Sequence, residues 1–239
     1  MTAYFIELDE KTREAIREIL SSMINPVKIV LYKDKFCEWT EIDWCRVTEE
    51  LLREIANLSP NSKIIFEERR LSDNLDLVKL LEPNITSRVK VPVMCIGDNC
   101  EIVYMGAPVG EEIRTLLDSI LLVSTRRTNL SPEVRNELKK VLENLQRRLY
   151  IVTLVTQACP YCPYAASLAN SFAVEGNGKI VSIVYDASLD PELAEEYGIT
   201  MVPAVIMGLE GFKGRLEFIG IPTENDVLER IIEHIRLGR

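Results

Sequence analysis

The stretch Tyr150-Ile151-Val152-Thr153-Leu154-Val155-Thr156-Gln157-Ala158-Cys159-Pro160-Tyr161-Cys162-Pro163-Tyr164 runs an apolar, β-branched segment into two cysteines separated by two residues. The first seven residues read as a buried strand, and Ala165 to Ala173 reads as a helix. The cysteines therefore sit where a strand gives way to a helix. Unpaired backbone N–H groups and the positive end of the helix dipole favour thiolate over thiol there, lowering a cysteine pKa. The stretch reads as a redox pair, with Cys159 attacking a disulfide as thiolate and Cys162, deeper in the helix, resolving the mixed disulfide. Pro160 removes a backbone donor between the two and Tyr161 adds bulk, so both tune the site. A buried, inert pair is the competing reading.

Downstream, a strand at 179–185 and a short helix at 191–197 lead to Val202-Pro203-Ala204-Val205-Ile206-Met207. A proline lacks a ladder donor and is out of place in a central strand. A cis Val202–Pro203 bond would account for it and would turn the Val202 backbone toward the sulfurs, free to pair with an extended peptide. An ordinary trans proline at a strand start is the alternative. Gly211 and Gly214 mark a turn, and Gly220-Ile221-Pro222 leads into a closing helix from 224 to about 237. Upstream, Ser131-Pro132-Glu133 opens a helix to about 148.

The first half follows the same plan. A helix at 11–23, a strand at 27–32, a polar loop holding Cys37 and ending at Cys45, a helix from about 48 to 58 and a strand at 63–67 form a β-α-β unit. A helix near 75–81 precedes a hairpin whose apolar runs flank Gly97-Asp98-Asn99, and a helix from 111 to about 122 closes the half. Laid on each other, the halves match Ile29 to Ile151 and Cys37 to Cys159 (122 apart), then Cys45 to Cys162 and Leu51 to Leu168 (117 apart). The difference is an insertion of five residues in the first half's loop. Pro92 matches Pro203, and Gly106-Ala107-Pro108 matches Gly220-Ile221-Pro222. The fold class expected is α/β, as two tandem units of one fold spanning 1–123 and 124–239, with polar residues 124–129 as linker.

Composition narrows the function. A formal net charge of -9 argues against nucleic acid or an anionic membrane as partner, because no basic stripe is present. No signal segment and no long apolar run is seen, which points to the cytoplasm. Six cysteines then imply redox chemistry, metal binding or structural disulfides of the kind found inside hyperthermophiles. Cys95 and Cys100 flank the hairpin turn and suit either a structural disulfide or two buried free thiols. A zinc site joining them to another pair is disfavoured by their spacing, so no metal is expected. His234 reads as a partly covered helical residue, and Trp39 and Trp44 flank the insertion.

Residues 149–237 resemble a thioredoxin-fold unit, and the whole chain resembles the protein disulfide oxidoreductases of hyperthermophiles, relatives of glutaredoxin that join two such units. The resemblance rests on Cys159-Pro160-Tyr161-Cys162 and Pro203. It implies two units, each a central mixed β-sheet flanked by helices, with Cys159 attacking, Cys162 resolving, a cis proline at Pro203, and no cofactor beyond the redox disulfide; the match of Pro92 to Pro203 in the internal repeat extends the cis expectation to Pro92. Its implied partners are proteins bearing thiols or disulfides and an NADPH-dependent thioredoxin reductase. The chain departs from the pattern in its first half, where Cys37 and Cys45 replace a pair at two-residue spacing. They either form a disulfide of structural role or altered potential, or mark a vestigial site with Cys37 displaced from the helix end, and Thr40 leaves the alignment open. An inactive or specialised first unit is expected. A peptide-binding scaffold with little turnover is the alternative for the whole chain.

Overall fold

Side chains along the strands alternate between two apolar layers: Ile29 and Leu31 join one core, Val30 and Tyr32 the other, and Ile151 is separated in the same way from Val152. That alternation is the signature of a sheet covered on both faces. The computed structural model describes residues 8–34, 37, 42–74, 92–189 and 191–238. Among these residues there are eight strands, β1 (Val27–Lys33), β2 (Ile64–Arg70), β3 (Val93–Ile96), β4 (Ile102–Met105), β5 (Leu149–Val155), β6 (Ile180–Asp186), β7 (Ala204–Leu209) and β8 (Arg215–Ile219). They form one sheet in the order β2-β1-β3-β4-β6-β5-β7-β8.

That order is one four-strand pattern used twice. β1 pairs parallel with β2 and antiparallel with β3, and β3 pairs antiparallel with β4. β5 repeats this with β6, β7 and β8. The copies meet where β4 runs parallel to β6, Ile102 opposite Ser182 and Met105 opposite Tyr185. This seam joins two strands that would each be an open edge in an isolated unit, which removes two exposed rows of backbone donors and acceptors. The fold is thus a mixed α/β arrangement of tandem thioredoxin-like units.

Among the described residues there are seven α-helices: α1 (Glu10–Leu20), α2 (Trp44–Leu58), α3 (Glu112–Thr125), α4 (Pro132–Leu142), α5 (Cys162–Gly176), α6 (Pro191–Glu196) and α7 (Glu224–Leu237). α2 starts four residues earlier than its apolar periodicity predicts, because the Asp43 side chain accepts the Arg46 N–H and caps it there. α4 ends earlier than predicted, where Lys179 Nζ donates to the carbonyls of Leu142 and Glu143. α3 extends through Ser124, which is fully buried and not part of a solvated linker. The helix expected near 75–81 lies outside the described residues. α3 and α5 pack across the seam, where Ser119 Oγ meets Tyr104 Oη at 3.0 Å and accepts from Asn170 Nδ2 at 2.9 Å. Among the described residues no helix is long and apolar enough to cross a membrane.

Candidate active site

β5 is buried along its whole length and delivers the chain to a tight turn, with the Cys159 N–H donating to the Thr156 carbonyl at 3.1 Å. Cys162 is the first residue of α5, and its amide has no carbonyl four residues back within the helix. That amide donates to Cys159 Sγ at 3.1 Å. Cys159 and Cys162 are disulfide-bonded, with Cα atoms 5.5 Å apart. Cys159 keeps 8% of its surface exposed and Cys162 none, so Cys159 is the less enclosed of the two.

The Val202–Pro203 peptide bond is cis, and the Val202 carbonyl oxygen lies 3.8 Å from Cys159 Sγ. The Pro203 carbonyl accepts the Gly220 N–H at 2.7 Å. The corresponding bond recurs in the first half, from the Gly106 N–H to the Pro92 carbonyl at 2.9 Å. The peptide bond entering Pro92 involves residue 91, outside the described residues. Around the pair, Tyr161, Tyr164, Met201 and Ile221 are exposed apolar side chains, and Pro160 is exposed as well. An exposed apolar rim of this kind suits contact with another polypeptide.

The first half reaches into this site. The Glu111 N–H donates to the Gln157 carbonyl at 3.0 Å, and Gln157 Nε2 donates to Asp186 Oδ2 at 3.3 Å. Gly110 has φ +63, and a Cβ at that position would run into the Gln157 carbonyl. Glu112, only 3% exposed, follows. Burial pushes its carboxyl up to about 7, repulsion from Asp186 and Glu111 adds to the rise, and Thr115 offsets part of it. Sequence reading missed Gly110, Glu111 and Glu112, since nothing local links a glycine at a helix entry to a turn 47 residues later in the other half.

Cys37 and Cys45 are also disulfide-bonded, with Cα atoms 5.5 Å apart, the same separation as in the second half. The insertion therefore does not carry Cys37 away from the helix end: Cys45 lies in the first turn of α2 and Cys37 folds back onto it. The surroundings differ. The Asp34 carbonyl oxygen is 3.0 Å from Cys37 Sγ, a partner that favours a protonated thiol. The Asp43 carboxylate lies within 4.8 Å of both sulfurs. Cys95 and Cys100 bridge the β3–β4 hairpin, Cys100 adopting φ +51. Because β1 and β5 point the same way, the pairs after them open at the same end of the sheet. Three strands separate them, about 19 Å at the usual interstrand spacing, too far for direct exchange.

A cysteine pair on a strand-to-helix turn, faced by a cis proline in a thioredoxin-like sheet, defines a thiol–disulfide redox protein. The thioredoxin domain family matches residues 150–233. A protein disulfide oxidoreductase from Aeropyrum pernix k1 is 30% identical and superposes with a TM-score of 0.78, over 100% of this chain and 98% of that one. The chain belongs to this protein disulfide oxidoreductase family. The alkyl hydroperoxide reductase component AhpF of Staphylococcus aureus is 27% identical over 190 residues, 79% of this chain but 32% of the relative, so the chain spans about a third of that relative's length. The NTD_N/C domain of AhpF from Enterococcus faecalis shares the fold, with a TM-score of 0.74 at 20% identity over 94% of this chain and 99% of that one.

Proposed function

We propose that the second unit, within residues 124–239, catalyses dithiol–disulfide exchange on protein substrates through Cys159. In the reduced enzyme the Cys159 thiolate attacks a substrate disulfide, expelling one substrate thiolate and forming a mixed disulfide. Cys162 then attacks Cys159 Sγ, releasing the second substrate thiol and closing the enzyme disulfide, so two electrons pass to the substrate. A dithiol donor, such as an NADPH-dependent thioredoxin reductase, restores the reduced pair. Run backward, the same steps oxidise a substrate dithiol. Sulfur carries the electrons throughout, without a bound cofactor. The observation that carries this reading is the setting of Cys159: its sulfur, the less enclosed of the pair, accepts the Cys162 N–H at 3.1 Å, and the Val202 carbonyl oxygen stands back at 3.8 Å, against 3.0 Å for the Asp34 carbonyl at Cys37. The amide stabilises negative charge on the attacking sulfur and on the same sulfur as leaving group.

The first unit, within residues 1–123, is specialised rather than a second copy of this site. Its Cys37 sulfur faces the Asp34 carbonyl oxygen and the carboxylate of Asp43, both of which disfavour a thiolate. Insulin reduction with dithiothreitol tests the assignment. Cys159→Ser should fall to the rate of dithiothreitol alone, whereas Cys37→Ser should retain most of the wild-type rate. Wild-type turnover in Cys159→Ser overturns the reading.

A further inference from the structure

The loop that separates Cys37 from Cys45 ends on Asp43, which caps α2. Its carboxylate and the two sulfurs form a group of three candidate ligand atoms, all within 4.8 Å of one another. Among the described residues no third His, Cys, Asp or Glu joins Cys159 and Cys162 in such a group. The insertion has thus given the first half a chemical feature that the second half lacks.

We propose that Cys37, Cys45 and Asp43 bind one zinc-like divalent cation when the Cys37–Cys45 disulfide is reduced, and release it when the disulfide forms. The steps balance. A phosphine reductant takes oxygen from water and leaves two thiols, and the cation then displaces both thiol protons. Oxidation by a disulfide-bearing protein joins the two sulfurs and expels the cation, while the oxidant's own disulfide breaks, accepts the two electrons and leaves as two thiols after taking protons from water.

Geometry permits this without moving the backbone. In a tetrahedral site with Zn–S bonds of about 2.3 Å, two thiolates sit about 3.8 Å apart. Cα atoms at 5.5 Å allow that separation by rotation of the side chains. Capping engages Asp43 Oδ1, which accepts the Arg46 N–H at 3.0 Å, and a carboxylate has further lone pairs to offer a metal. Two thiolates and one carboxylate suit zinc rather than magnesium or calcium, which take oxygen ligands. The three ligands leave one tetrahedral position for water. Electrostatics favours the cation too. Full reduction would gather up to three negative charges at the start of α2, which the helix dipole offsets only in part. The same carbonyl and carboxylate that make Cys37 a poor free thiolate make the reduced pair a better place for a dication. The proposal goes beyond the exchange activity and holds whether or not Cys159 turns over substrate.

The test uses the full chain carrying Cys159→Ser and Cys162→Ser, reduced with a phosphine without oxygen and titrated with Co2+ alone. The expected result is one equivalent bound, with a near-ultraviolet thiolate-to-cobalt band that zinc bleaches and that the oxidised chain lacks. The band should survive Cys95→Ser with Cys100→Ser and vanish in Cys37→Ser with Cys45→Ser. Asp43→Asn keeps a good helix cap and should weaken Co2+ roughly tenfold or more, with the circular dichroism of the helices unchanged. No band in the reduced chain, a band that persists without Cys37 and Cys45, or unchanged affinity in Asp43→Asn would each overturn the proposal.

Discussion

The Glu111 amide donates to the Gln157 carbonyl at 3.0 Å, so a loop of the first half holds the backbone two residues ahead of Cys159. The halves of this chain are therefore not two independent enzymes on one string. One braces the turn from which the other presents its sulfur.

Gly110→Ala should disturb that brace. The new Cβ would meet the Gln157 carbonyl, and φ +63 already disfavours any residue with a Cβ. We expect a stability loss of about 1–3 kcal/mol and slower reaction at Cys159. Thermal unfolding and the rate of insulin reduction read the two effects, and a variant with wild-type values in both would remove the bracing role.

Glu112 gives the fold a pH dependence of defined sign. Its carboxyl titrates near 7 in the folded protein, above the ordinary value of 4.5 in the unfolded chain. Below the unfolded value both states are neutral there and stability is full. As pH rises toward 7 the unfolded chain ionises first and stability falls, by on the order of 3 kcal/mol, then levels off. Glu112→Gln should flatten this part of the profile, matching wild type near pH 4 and exceeding it at pH 8. Urea titrations across that range measure the difference.

Ser124 ties the start of the first half to its closing helix. Its buried hydroxyl accepts the N–H groups of Ile24 and Asn25 at 2.9 and 3.1 Å and donates to the Asn25 carbonyl at 2.6 Å. Ser124→Ala leaves those groups without this partner and should cost about 1–3 kcal/mol, seen as a fall of several degrees in Tm. Insulin reduction below the transition should be unchanged, because Ser124 lies away from both cysteine turns.

Alkylation order reads the chemistry of the cysteines directly. In the fully reduced chain at neutral pH, iodoacetamide should modify Cys159 first, since its sulfur faces the Cys162 amide, which favours the thiolate. Cys37, facing the Asp34 carbonyl, should lag it, and fully buried Cys162 should react last of the three. Peptide mapping against time gives the order, and equal rates for Cys37 and Cys159 would show that the two sulfurs share one electrostatic setting.

Much of this is legible in the sequence because it is local. A strand-to-helix cysteine turn, the Gly97-Asp98-Asn99 hairpin and the matched Pro92 and Pro203 each carry their signal in a few neighbouring residues. The Asp43 cap is equally local, yet apolar spacing taken alone places the start of α2 too late and leaves Cys45 at the end of a loop. Ser124 reads as linker because serine among threonine and arginine looks solvated, and only its packing against Asn25 shows otherwise.

The Cys159-Pro160-Tyr161-Cys162 turn, its strand and its helix follow from the sequence itself, since hydrophobic alternation and helix start signals act over one or two turns of chain. Tertiary structure alone decided that β4 and β6 join the two units into one sheet, through backbone hydrogen bonds that any side chains could accompany. It also decided that Cys37 returns to Cys45 and Asp43, and that Glu112 is buried beside the Gln157 turn. Those outcomes depend on which distant surfaces exclude water together, a property of the folded chain that no single stretch of residues carries.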